Sequence, residues 1–255
     1  MKNFTIALFG LLSITAFGRG TYNILPTATM WPTPNGILFP NVATAGGVNA
    51  AALPLAGKAT VVQGAYTKVT DNLSEFYGGV GMTSRKFGVS LGYLGDKIGN
   101  NLVHNSYAGA GFAIDQVSLG LNVRRFNWSG SASTGVDLGL IAGEGKGFTW
   151  GFVVYNINGP HTQVTGGVGF GGGKKYNMEL NFAIPPFNGG SVYIITAAGT
   201  INPSEVFGVH FKTSYYSDKN YLHVLGLSVF PWENTGFLVQ FSSPSIWTGG
   251  INLSF

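Results

Sequence analysis

The chain has 255 residues with 40 glycines, 14% aromatic and only 9% charged residues, and a formal charge of +4; about 25% charged residues is usual for a globular domain, so a soluble surface is hard to build from it. It contains no cysteine, which removes disulfides, thiolate metal sites and cysteine nucleophiles, and no basic run exceeds Arg124-Arg125 or Lys174-Lys175, which leaves no footprint for nucleic acid. After residue 18, Gly, Ser, Thr and Asn interrupt every apolar run short of the roughly 20 residues a spanning helix needs, so a closed sheet is the membrane solution that remains.

Residues 1 to 18 read as a secretory signal. Lys2 supplies the positive start, Phe4 to Phe17 the apolar stretch, and Ala16-Phe17-Gly18 a small-x-small cleavage site. From residue 19 to 57, Pro26, Pro32, Pro34, Pro40 and Pro54 forbid a long regular element. This segment is apolar enough to bury against a lumen wall as a plug or hatch; a periplasmic tail is the alternative.

From residue 58 to 255 the texture changes to stretches of roughly ten residues that alternate in polarity between turn-forming residues. The alternation predicts strands near 58 to 69, 75 to 85, 86 to 95, 105 to 115, 116 to 127, 133 to 142, 147 to 157, 162 to 171, 174 to 184, 190 to 200, 205 to 215, 221 to 231, 235 to 243 and 246 to 255. The fold class is all-β: a transmembrane antiparallel barrel of fourteen strands, an even number as in bacterial single-chain barrels, with twelve as the reserve if the glycine-rich pairs divide differently.

The same alternation assigns faces. Tyr176, Met178, Leu180, Phe182 and Ile184 should face lipid and Asn177, Glu179, Asn181 and Ala183 the lumen; Val117, Leu119, Leu121 and Val123 oppose Ser118, Gly120, Asn122 and Arg124 in the same way. Aromatics near strand ends, among them Tyr66, Tyr155, Tyr221 and Trp247, stand where interfacial girdles belong. Glu75, Arg85, Arg124, Asp137, Glu179, His210 and Lys212 are the polar lumen candidates, and their mixed signs suggest paired charges bracing an interior.

The last strand carries alternate hydrophobics, Trp247, Ile251 and Leu253, and a terminal aromatic, Phe255. It resembles the C-terminal signal by which the barrel-assembly machinery recognises outer-membrane clients, which implies that machinery as a partner during biogenesis. The segment Asn49-Ala50-Ala51-Ala52-Leu53-Pro54, just before the first strand, resembles the Asn-Pro-Ala-Ala/Gly-Leu element of the FadL-type fatty-acid transporter superfamily and its PorV-like relatives, with Ala50 in place of the usual proline. That resemblance implies a fourteen-stranded barrel, an N-terminal hatch of this length and passage of hydrophobic compounds.

Enzyme chemistry finds little support. Gly88-Val89-Ser90-Leu91-Gly92 has the spacing of a nucleophile elbow, but that motif needs a strand-to-helix turn and here sits inside an alternating strand. His104, His161, His210 and His223 are scattered without metal-ligand spacing. The expectation is a cofactor-free channel or transporter of the bacterial outer membrane, in contact with its lipid, passing small hydrophobic ligands. The alternative is a structural barrel that anchors an envelope protein partner.

Overall fold

A computed structural model describes residues 37–40, 42–70, 73–98, 101–128, 131–143, 146–158, 162–172, 175–184, 193–217, 221–232, 235–242 and 246–254. The expected signal, residues 1 to 18, and Phe255 lie outside the described residues. A short helix, α1 (Val42–Val48), leads into two single 3-10 turns, Ala50–Ala52 and Pro54–Ala56. Fourteen strands follow: β1 (Ala59–Thr70), β2 (Leu73–Thr83), β3 (Phe87–Ile98), β4 (Asn101–Ile114), β5 (Val117–Trp128), β6 (Ser131–Ala142), β7 (Lys146–Tyr155), β8 (Gln163–Gly172), β9 (Tyr176–Ile184), β10 (Ile194–Ser204), β11 (Phe207–Tyr216), β12 (Tyr221–Trp232), β13 (Thr235–Ser242) and β14 (Ile246–Ser254).

Each strand pairs antiparallel with its sequence neighbours, and β1 closes on β14 through a continuous ladder that includes Gln63↔Asn252 and Ala65↔Gly250. The chain is a closed, all-β transmembrane barrel of the outer-membrane type. Closure leaves no open sheet edge, and the large side chains outside need a hydrocarbon solvent. Leu180 is 51% exposed, Leu121 49% and Trp247 60%, whereas their strand neighbours Glu179, Asn122 and Thr248 are buried.

Prolines sit where they do least harm to the ladders. Pro203 and Pro231 fall within the register shifts of β10 (Ile201/Ser204) and β12 (Val229/Trp232), at the barrel end that also holds the start of β1 and the end of β14. A bulge spares the ladder bond that proline cannot donate. Connections at that end are tight, as at Asp115-Gln116, where Asp115 adopts φ 52. β7 and β9 end, and β8 and β10 begin, at the opposite end.

The ladder is short in one place. β6 and β7 pair only from Leu138↔Val154 to Ala142↔Trp150. Beyond this, Asn156 turns the chain at φ 54, and side chains continue the seam. The Asn156 N–H donates to Asp137 Oδ1 at 2.9 Å, and the Ile157 N–H donates to the Val136 carbonyl at 2.8 Å. Asn158 accepts the Val136 amide at 2.8 Å and donates to the Thr134 carbonyl at 3.0 Å.

The core lies inside the barrel. Ile37, Leu38, Val48, Ala51 and Ala52 pack with the inward-facing Ile141 and Val153, and Leu53 packs with Val61. Tyr155, expected in the lipid girdle, has the parity of Thr149 and Val153; it points inward, is 3% exposed and donates to the Val48 carbonyl at 3.0 Å.

Candidate functional site in the barrel lumen

The wall is cut to receive the backbone of residues 43–57. Gly88, Gly111, Gly120 and Gly139 face each other in one unbroken rung across β3, β4, β5 and β6, through the pairs Gly88↔Gly111, Gly111↔Gly120 and Gly120↔Gly139. A methyl added at each would overlap this segment: Leu53 at Gly88, the Ala50 carbonyl at Gly111, the Ala51 amide at Gly120 and Asn49 Oδ1 at Gly139. One rung nearer mid-barrel, Gly109 meets Gly46 of α1. Glycine is needed there because backbone lies against backbone.

Hydroxyl groups pin the helix to this seat. Ser90 Oγ donates to the Ala43 carbonyl at 2.8 Å and accepts the Gly46 amide at 3.3 Å. Tyr107 Oη reaches the same carbonyl at 2.6 Å, and Tyr77 Oη lies 2.7 Å from Tyr107 Oη and 3.0 Å from the carbonyl. The Tyr107 ring fits between Gly92 and Gly47, where a side chain on either glycine would strike it. Thr83 Oγ1 donates to the Leu53 carbonyl.

Asn49 organises the segment itself. Its Oδ1 accepts the Ala51 amide at 3.1 Å, capping the 3-10 turn, while its Nδ2 donates to the Ile37 carbonyl at 3.2 Å. Ala50, Ala51, Ala52 and Leu53 are all buried, which leaves room for nothing larger on the alanines against the glycine wall. Pro54 opens the second turn, where its missing N–H is not needed.

The charged candidates separate into groups. Arg124 and Asp137 form a buried ion pair at 2.5 Å; Asn122 Nδ2 donates to Asp137 Oδ2 at 2.6 Å, and the guanidinium lies 5.2 Å from the Tyr155 ring centroid. This group sits at the β6–β7 seam and reaches the hatch through Tyr155, whose hydroxyl donates to the Val48 carbonyl. Glu75 is buried on the inward face of β2 and lies across the ladder from Thr67, whose Oγ1 lies 2.8 Å from Thr248 Oγ1. Arg85 departs from expectation: it lies in the exposed turn between β2 and β3, two residues past the strand's last inward position at Thr83.

Glu179, His210 and Lys212 fall on one panel of wall formed by β9, β10 and β11. Residues opposite one another in antiparallel ladders share a face, and three inward rungs run across these strands: Asn177–Thr200–His210, Glu179–Ala198–Lys212 and Asn181–Thr196–Ser214. His210 bridges Thr200 Oγ1 at 3.0 Å and Ser228 Oγ at 2.8 Å, and Thr196 Oγ1 lies 2.9 Å from Ser214 Oγ. At the centre, Ala198 separates a carboxylate from an ammonium on strands about 10 Å apart. The Leu38 N–H donates to Glu179 Oε2 at 2.8 Å, and the Leu38 and Phe39 side chains fill the space beside Gly169.

Sequence reasoning singled out the 49–54 segment and the charges but not their receptors. Ser90 drew notice only for the spacing of a nucleophile elbow, and Tyr77, Tyr107 and the glycine rung carry no chemical motif. The available signal was glycine at inward parity on four successive strands.

Neither family models nor curated proteins match the sequence. Among solved structures, the P. putida toluene transporter TodX is similar over 86% of this chain and 97% of that one, with a TM-score of 0.58 at 7% identity. A Rhodopseudomonas blastica porin triple mutant covers 78% and 98% (TM-score 0.48, 9% identity), and the KdgM porin 76% and 99% (0.46, 10%). At these identities the TodX likeness shows a common barrel fold.

Proposed function

We propose that the chain is an outer-membrane channel for passive passage of small, mainly hydrophobic molecules, with residues 37–57 serving as a hatch that narrows the lumen. The observation that carries this reading is the asymmetry of the hatch: α1 and its 3-10 turns pack chiefly on β1–β6, while the hydroxyls and imidazole of β10–β12 bond to one another within the wall. Residues 37–39 then cross to Gly169 of β8 and Glu179 of β9, so the segment spans the lumen and would set the width of any path through it. The fold shared with a toluene transporter supports small apolar compounds as the permeant, and the lipid-facing belt supports a bacterial outer membrane as the setting.

The test is uptake of toluene by cells with an intact outer membrane, with and without the expressed full chain. Faster entry than in vector controls is the expected result. If neither toluene nor any comparably small solute enters faster, and the purified protein gives no conductance in planar bilayers, the channel reading is wrong.

A further inference from the structure

The outward face changes character around the rim opposite the start of β1. On β10–β14 that rim is aromatic, with Tyr193, Tyr221, Phe241 and Trp247 all exposed, as suits a membrane–water interface. On β3–β6 it is basic and polar. One outward rung there runs Tyr93–Ser106–Arg125–Thr134 and the next Gly95–His104–Asn127–Ala132. Lys97 stands one rung further out on β3, opposite Ser74 and Leu102. Arg125 and Lys97 are exposed, and the His104 ring stacks on Tyr93 with centroids 5.9 Å apart. No acidic residue occupies an outward position of β3–β6.

These side chains stand at headgroup height. The rise from Phe87 to Lys97 along β3, at about 3.3 Å per residue and a tilt of about 40°, is about 25 Å, the height of the apolar band of an outer-membrane barrel. Arg125 lies about 20 Å above Val117 on β5, from where its long side chain reaches the same level along the wall. The widest sequence intervals between paired strands, Tyr155 to Gln163 and Ile184 to Ile194, fall at this rim and mark it as the outer one. We infer that the outward patch on β3–β6 seats an outer-leaflet lipid whose headgroup carries phosphate groups. A guanidinium grips phosphate through two parallel hydrogen bonds, and Ser106, Asn127 and Thr134 add donors beside it. Arg125 and Lys97 are two strands and four residues apart, about 16 Å between backbone positions, so each takes its own phosphate on one headgroup. A second copy of the chain fits less well, since a twofold contact would set this positive patch against itself.

The test offers the full chain, purified in detergent and shown to be folded by its heat-dependent mobility on gels, equal amounts of diphosphoryl lipid A, monophosphoryl lipid A and phosphatidylcholine. Native mass spectrometry reads which lipid each barrel retains. Diphosphoryl lipid A is expected to be favoured, and Arg125→Gln and Lys97→Gln each to weaken its retention about fivefold, the worth of one basic side chain at an anionic surface. Lys146→Gln, exposed at the other end of the barrel, should leave the preference unchanged. Equal retention of the three lipids by the unaltered chain, or a preference that survives removal of both charges in folded protein, overturns the lipid seat. Displacement by inorganic phosphate at no more than the lipid's own concentration also overturns it, by making the patch a free-anion site. So does a dimer that comes apart on Arg125→Gln, which would make the patch a contact between copies.

Discussion

Asn49 Oδ1 occupies the space that a side chain on Gly139 would fill, and the same oxygen caps the 3-10 turn by accepting the Ala51 amide. One residue of the lumen segment and one of the wall are thus fitted to each other across a sequence separation of a whole barrel half. Gly139→Val should force Asn49 out of its cap. Loss of a cap costs about 1 kcal/mol and overpacking about 1–3 kcal/mol. The expected outcome is a lower urea midpoint together with faster proteolysis within residues 42–57, while a barrel whose hatch is equally protected would show that the glycine is not required.

In the Gly88-Val89-Ser90-Leu91-Gly92 stretch every second residue faces inward: Gly88 admits Leu53, Ser90 holds the Ala43 carbonyl and Gly92 makes room for Tyr107. Its spacing serves docking. Ser90→Ala and Tyr107→Phe should each destabilise by about 0.5–1.5 kcal/mol, and because both hydroxyls address one carbonyl, the double variant should depart from additivity. A double-mutant cycle in denaturant measures this. Strict additivity would mean that the two donors act independently.

Much of the barrel was legible because its solvent is simple. Hydrocarbon outside demands large apolar residues at every second position, and the stretches 117–123, 176–184 and 247–253 announce both strand and face. Position at a strand end misassigns Tyr155, since an aromatic there suits either a girdle or a hydrogen bond to Val48, whereas its parity with Thr149 and Val153 points inward. Arg85 was misplaced for a related reason: the strand ends two residues earlier than its polarity suggests. The glycine rung was legible residue by residue but not as a rung, because register between distant strands is set by turns and bulges that the local pattern does not count.

Asp137 closes the seam where β6 and β7 part, accepting the Asn156 amide and holding Arg124. Asp137→Ala removes both and leaves a buried guanidinium without its counter-ion, a change that costs about 3–5 kcal/mol in comparable buried pairs. Amide exchange should rise at Asn156, Ile157 and Val136 before the rest of the barrel. Exchange that stays uniform would place the seam's stability in the Val136–Ile157 backbone bond instead.

The strongest contrast between the two faces lies on β9, where Leu180 and Glu179 are adjacent in sequence and opposite in environment. Leu180→Arg places a cation on the lipid side near the middle of the strand, where such substitutions cost about 2–4 kcal/mol, falling toward zero near the interfaces. The same substitution at Tyr176, at the strand's end, should therefore cost much less. Reversible unfolding from lipid vesicles compares the two directly. A Leu180→Arg barrel as stable as the Tyr176→Arg barrel would mean that this face does not meet a hydrocarbon interior, and the membrane assignment of the strand would fail with it.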